Sequence, residues 1–273
     1  MRISNTLPEL RLRIVLCVLG SALVSPAASV FAQQGNPLPD VPKPQVVEVR
    51  DSATLRHTPR NLFKDQEAIW TSPVHLRPSN LTVPIVLGLA TAVAITTDHQ
   101  ALSSSRLNDA SLNKHATTAS NGLVGALVAL PVAFYGMGRL RHETHAEETG
   151  ILGGEAMVDS LAVNEVMKLV ARRERPTMDG ARGKFFQSGV GTGSSFPSNH
   201  SILAWSSAAV IASEYPGRLT ALTVYGMATG VSVTRILARE HFPSDVLVGS
   251  AVGWMIGRYV WRHHQRSRDL DHF

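Results

Sequence analysis

The 273-residue sequence has one cysteine, Cys17, and it lies inside an apolar run near the N-terminus. That excludes a disulfide framework and a thiolate metal site, so the fold must be held by packing. Charge is sparse, at 17% of residues against 44% hydrophobic, and its excess is basic, +5 at neutral pH. Aromatics make up only 6%. There is no aromatic-basic interleaving and no standard reader motif, which argues against nucleic acid and leaves anionic small molecules or lipid headgroups as partners. Zinc-protease spacing is also absent: in "RHETHAEE" His142 and His145 are three apart around Glu143, outside the H-E-x-x-H register, and the stretch reads as a flexible polar loop. "GVGTGSSF" follows no clear strand, and its third glycine is misplaced for a dinucleotide loop.

Uninterrupted apolar runs of about 20 residues, the length a bilayer span needs, are missing as well. Ser201 to Ser213 gives 13 residues before Glu214, and Ile151 to Val170 carries Glu155, Asp159, Glu165 and Lys168. These charges are costly in lipid. The reading is a soluble or membrane-apposed domain in preference to a multi-pass one.

At the N-terminus, Arg2, Arg11 and Arg13 precede "IVLCVLGSALV", and Val30 and Ala32 fit signal peptidase, so residues 1–32 read as an export signal. Export places the protein in the periplasm or cell envelope. Pro37, Pro39, Pro42 and Pro44 then mark residues 33–60 as an extended linker. From 61 to 273 the chain alternates apolar segments with polar breaks: Pro84 to Thr97, Gly122 to Met137, Ile151 to Val170, Ser201 to Ser213, Leu219 to Val233 and Val246 to Trp261. Each exceeds strand length, which predicts an all-α bundle of about six core helices. Ahead of them, "NLFKDQEAIW" sets Leu62, Phe63, Ile69 and Trp70 near one helical face, for packing on the core or on a membrane surface.

Three motifs carry chemistry. In "KLVARRERP", Lys168 and Arg175 are seven residues apart and return to one helical face after two turns, with Pro176 ending the helix. Two cations held together call for an anion between them. In "FPSNHSILAW", Ser198 and Asn199 suit a helix N-cap, whose free N–H groups favour phosphate, and His200 falls in the first turn. That dipole disfavours imidazolium, so His200 needs a nearby anion to serve as an acid. In "TRILAREHFPSD", Arg235 precedes His241 by six residues and Asp245 follows by four. A carboxylate at that offset can reach one imidazole nitrogen and leave the other free to attack.

Taken together and in this order, Lys168 and Arg175, then Pro197-Ser198-x-His200, then Arg235, His241 and Asp245 resemble the tripartite signature of the type 2 phosphatidic acid phosphatase family. Its superfamily includes class A bacterial acid phosphatases and vanadium haloperoxidases. The resemblance covers roughly residues 151–259. It implies a metal-independent, cofactor-free phosphatase acting on a phosphomonoester or pyrophosphate, soluble or lipid-linked. By position the resemblance implies that His241 is the nucleophile, that Asp245 orients it and that His200 protonates the leaving oxygen and later activates water. Lys168, Arg175 and Arg235 clamp phosphate oxygens, with Ser198 and the backbone N–H of Asn199. Vanadate is expected as an inhibitor; in the alternative haloperoxidase reading it is the cofactor. A non-catalytic anion-binding envelope protein is the other alternative, although binding alone would not need two histidines. The chain departs from the family in Asn199, where Gly is usual, and in Thr234, where Ser is usual.

Overall fold

The computed structural model describes residues 53–72, 81–103, 105–190 and 193–270. The expected signal peptide and residues 33–52 of the expected linker lie outside the described residues. Among those described, seven α-helices and no strand occur: α1 Thr58–Thr71, α2 Thr82–Leu102, α3 Ala110–Arg141, α4 Thr144–Ala171, α5 Asn199–Glu214, α6 Arg218–Leu237 and α7 Pro243–Leu270. The all-α expectation holds, and each apolar segment read from the sequence lies inside one of α2 to α7. The first helix starts at Thr58, slightly inside the stretch assigned to the linker. The polar-loop reading of "RHETHAEE" is corrected. His142 takes a left-handed conformation that ends α3, and α4 begins at Thr144, so only two residues separate the helices.

The central element is α5. One side of it joins α4 and α7 through Ile151, Leu152, Ala156, Val210, Ile256 and Val260. Its other side joins α3 and α6 through Leu127, Ala204, Trp205, Ala208, Val224 and Val231. Small residues let the axes approach closely. A Cβ at Gly253 of α7 would lie 2.3 Å from the Ile202 carbonyl, and one at Gly249 would lie 2.8 Å from that of Ser198. Only glycine therefore seats the N-terminal end of α5 against the start of α7, and this brings the second and third motifs together.

α1 packs through polar side chains as well as Ile69. Gln66 donates to Asp159 Oδ1 at 2.8 Å, and Asn61 to Glu155 at 3.3 Å. Phe63 and Trp70 are exposed, so of the two expected roles for that face the structure does not place them on the core. α2 and α3 are long and apolar enough to cross a membrane. Most of α2 is uncovered, with Val86 59%, Leu89 64% and Val93 62% exposed. The sequence reading missed α3 as a candidate span because its helix starts well before Gly122, where Asp109 caps it by accepting from Ser111 N–H at 2.8 Å.

Candidate active site

Helix α4 ends at Ala171, where Arg172 turns left-handed at φ 41°. This corrects the idea that Lys168 and Arg175 share a helical face: Lys168 is in the last turn, whereas Arg175 lies beyond the helix. The segment after Ala171 pairs with other loop backbone instead. Glu174 N–H donates to Lys184 O at 3.0 Å, and Ser195 N–H to Arg173 O at 2.9 Å. The second pairing ties the first motif to the second. Lys168 and Arg175 still come close enough to repel each other.

Ser198 caps α5 as expected. It is fully buried, and its Oγ accepts from Ser201 N–H at 3.4 Å and from Ser201 Oγ at 3.2 Å. The carboxamide of Asn199 is taken up by Asn164, a buried residue one turn before Lys168 whose Nδ2 donates to Asn199 Oδ1. Asn121 of α3 holds His200, with its Oδ1 3.0 Å from His200 Nε2. Asn121 and Asn164 lie far from the motifs in sequence, and neither was singled out from it.

The third motif differs from its sequence reading in one contact. His241 is buried, and its Nδ1 lies 2.7 Å from the carbonyl oxygen of Ser195. A carbonyl can only accept, so Nδ1 carries the proton and Nε2 keeps its lone pair. Asp245 Oδ2 is 3.8 Å from Nδ1, beyond hydrogen-bond distance. The Asp245 carboxylate is engaged elsewhere: Oδ2 accepts from Phe242 N–H at 2.8 Å, and Oδ1 from Arg173 Nη1 at 2.6 Å. The hydrogen-bond partner of Nδ1 is thus a backbone carbonyl, with the Asp245 carboxylate nearby as charge.

Arg173 is a further residue that sequence reasoning missed. Its guanidinium is fully buried and meets Asp98 of α2 at 2.7 Å, Asp245 at 2.6 Å, Ser244 Oγ at 2.7 Å and the Gly183 carbonyl at 3.1 Å. Phe242 and Phe185 lie against it, with centroids at 4.1 and 4.6 Å. Asp98 also accepts from Ser244 N–H at 3.1 Å. One charged network therefore joins α2, the loop after α4 and the start of α7. A signal existed in the arginine-rich loop and the isolated Asp98, but no spacing links them.

The cluster is electropositive. Burial pushes Lys168 below its ordinary value, and Arg175 and Arg235 add to this, while Glu165 and Asp245 oppose it. Burial likewise depresses Arg235, with Arg175 adding and Glu240 opposing, and its Nε has no partner. Burial lowers His241, Asp245 opposes this, and Arg235 and Arg175 add to the lowering, so the net effect favours the neutral ring. His200 is pushed down to about 4 by burial, then by Arg235, His241, Arg175 and Lys168. Such an arrangement has the character of an anion site.

The helical bundle thus gathers two histidines and three cations, a combination suited to an anion. Residues 151–269 match the model of the PAP2 superfamily. The resemblance read from the motifs is thereby shown, and it supports a phosphatase-type function. Among solved structures, the chain is similar to one described as the first transmembrane PAP2 type phosphatidylglycerolphosphate phosphatase from Bacillus subtilis. Identity is 20% and the TM-score 0.45, covering 77% of this chain and 97% of that one. No curated protein matches the chain.

Proposed function

We propose that this chain is an exported, metal-independent phosphatase that cleaves a phosphomonoester or pyrophosphate through a phosphohistidine at His241. The observation that carries the reading is the His241 imidazole, buried in the field of Arg175 and Arg235 with its Nδ1 held on the Ser195 carbonyl. Nε2 then attacks phosphorus as the bond to the leaving oxygen breaks. The three cations take up phosphoryl charge, together with Ser198 and the Asn199 N–H. His200 gives a proton to the leaving oxygen. It then takes one from the water that attacks the phosphohistidine, releasing phosphate and restoring both histidines. His200 is neutral above about pH 4 in the cation cluster. The charge of bound phosphate offsets the field of those cations and raises its proton affinity, so acid catalysis is switched on by substrate.

The uncovered apolar surfaces of α2 and α3 support membrane association and a lipid-linked substrate. Asp98, near the end of α2, joins that helix to the network beside the site. A phosphate-release screen across lipid phosphates, polyprenyl pyrophosphates and soluble phosphomonoesters identifies the class. His241→Ala should abolish release and the acid-labile, alkali-stable phosphoenzyme trapped by alkaline denaturation, while the variant stays folded. Wild-type turnover in the purified variant would sink the assignment. Vanadate should inhibit release, whereas halide oxidation with vanadate and peroxide would favour the haloperoxidase reading.

A further inference from the structure

The carboxylate of Glu240, immediately before His241, sits on two of the three clamp cations. Its Oε2 is 2.5 Å from Arg175 Nη1 and 3.5 Å from Arg235 Nη2. The contact is built into the chain reversal between α6 and α7. Arg239 adopts a left-handed conformation at φ 56°, and Glu240 N–H donates to the Arg235 carbonyl at 3.2 Å, which brings the side chain back over the helix end. Other carboxylates near the clamp are differently occupied. Asp245 is bonded to Arg173, and Glu165 acts on Lys168. Glu240 is the acid that both guanidiniums touch, and it stands at a position of the third motif to which no role was assigned.

We infer that Glu240 is an internal counter-anion of the clamp that competes with phosphoryl oxygens for Arg175 and Arg235 and so determines how tightly substrate and released phosphate are held. The inference rests on the proposed phosphatase reading and deepens it. A clamp of three cations and no counter-charge would hold product phosphate strongly, and binding ground state and product equally well does nothing for the chemical step. A carboxylate on the same N–H groups weakens both, which favours turnover when phosphate accumulates.

The test is direct binding of inorganic phosphate and of vanadate to the full-length protein by calorimetry, in wild type and in Glu240→Gln, which keeps shape but loses charge. The expected result is a phosphate Kd lowered about three- to tenfold, the size of effect for one half-exposed charge beside the ligand. The KM of the phosphate ester should fall in parallel. Glu240→Ala should move both in the same direction, and it serves if the glutamine variant does not fold. Unchanged or weaker phosphate binding in a folded variant overturns the inference, because a carboxylate that merely holds the arginines in place would loosen the clamp when removed. Binding needs no turnover, so this result is read separately from the His241→Ala experiment, whose failure would instead remove the phosphohistidine reading.

Discussion

Arg173 Nη1 lies 2.6 Å from Asp245 Oδ1, with both side chains buried. This ion pair, with the Phe242 N–H on the other oxygen, holds the Asp245 carboxylate off His241, whose Nδ1–H goes to the Ser195 carbonyl. Asp245→Asn should therefore preserve the ring tautomer. It should lower kcat about ten- to a hundredfold, as loss of a supporting partner does, and much less than His241→Ala. Steady-state kinetics on folded protein check this, and equal losses in the two variants would show that the carboxylate is the orienting group.

His200 offers a test of the electrostatics that does not need turnover. Burial and the cations beside it push its titration down to about 4. In the free protein its NMR ring signals should stay constant from pH 8 to pH 5, with His200→Gln providing the assignment. Adding vanadate should raise the midpoint, because an anion among Lys168, Arg175 and Arg235 cancels the positive field. Arg235→Gln alone should raise it as well. A His200 that titrates near 6.5 without ligand would contradict the packed cation cluster.

The helices and the motif residues were legible because both are local signals. Apolar segments of helical length, the Ser198 cap and Pro243 at the start of α7 follow from nearest-neighbour chemistry. The Arg173 network was not legible, because its partners Asp98 and Asp245 lie on α2 and α7 and only packing brings them together. The same holds for Asn121 on His200 and Asn164 on Asn199. The span-length α3 was hidden because its first turns are polar, and hydropathy alone placed its start too late. Lys168 and Arg175 do come near each other, but not by the route read from the spacing. The loop after Arg172, not helical periodicity, brings Arg175 back.

Asn199, in the position where the family usually has glycine, is accommodated by Asn164. The side chain is paired with the α4 carboxamide, and its own N–H remains at the start of α5. Asn199→Gly should leave KM within about threefold, since the backbone donor survives. It should lower stability by about 1–3 kcal/mol, because Asn164 is then left buried without that acceptor. Asn164→Ala combined with Asn199→Gly should recover part of the loss. Denaturant unfolding of these two variants and of Asn164→Ala alone measures the coupling. Strict additivity would show that the two carboxamides do not act as a pair.

Stability should depend on pH through Asp159. It is fully buried on α4, with Gln66 Nε2 on Oδ1 at 2.8 Å and no partner on Oδ2. Burial raises its pKa to about 7, with Asp65 and Glu155 adding and Gln66 opposing. The folded form thus holds a proton that the unfolded chain, titrating near 3.8, gives up. The resulting stabilisation is complete below the unfolded value and is lost as pH rises through about 7. At pH 8 the ionised folded group costs up to about 4 kcal/mol. Asp159→Asn keeps an acceptor for Gln66 and removes the ionisation. It should melt several degrees higher than wild type at pH 8 and close to wild type at pH 4. Parallel melting curves for the two proteins from pH 4 to 8 would mean that Asp159 is not the group whose ionisation loosens the seat of α1 on α4.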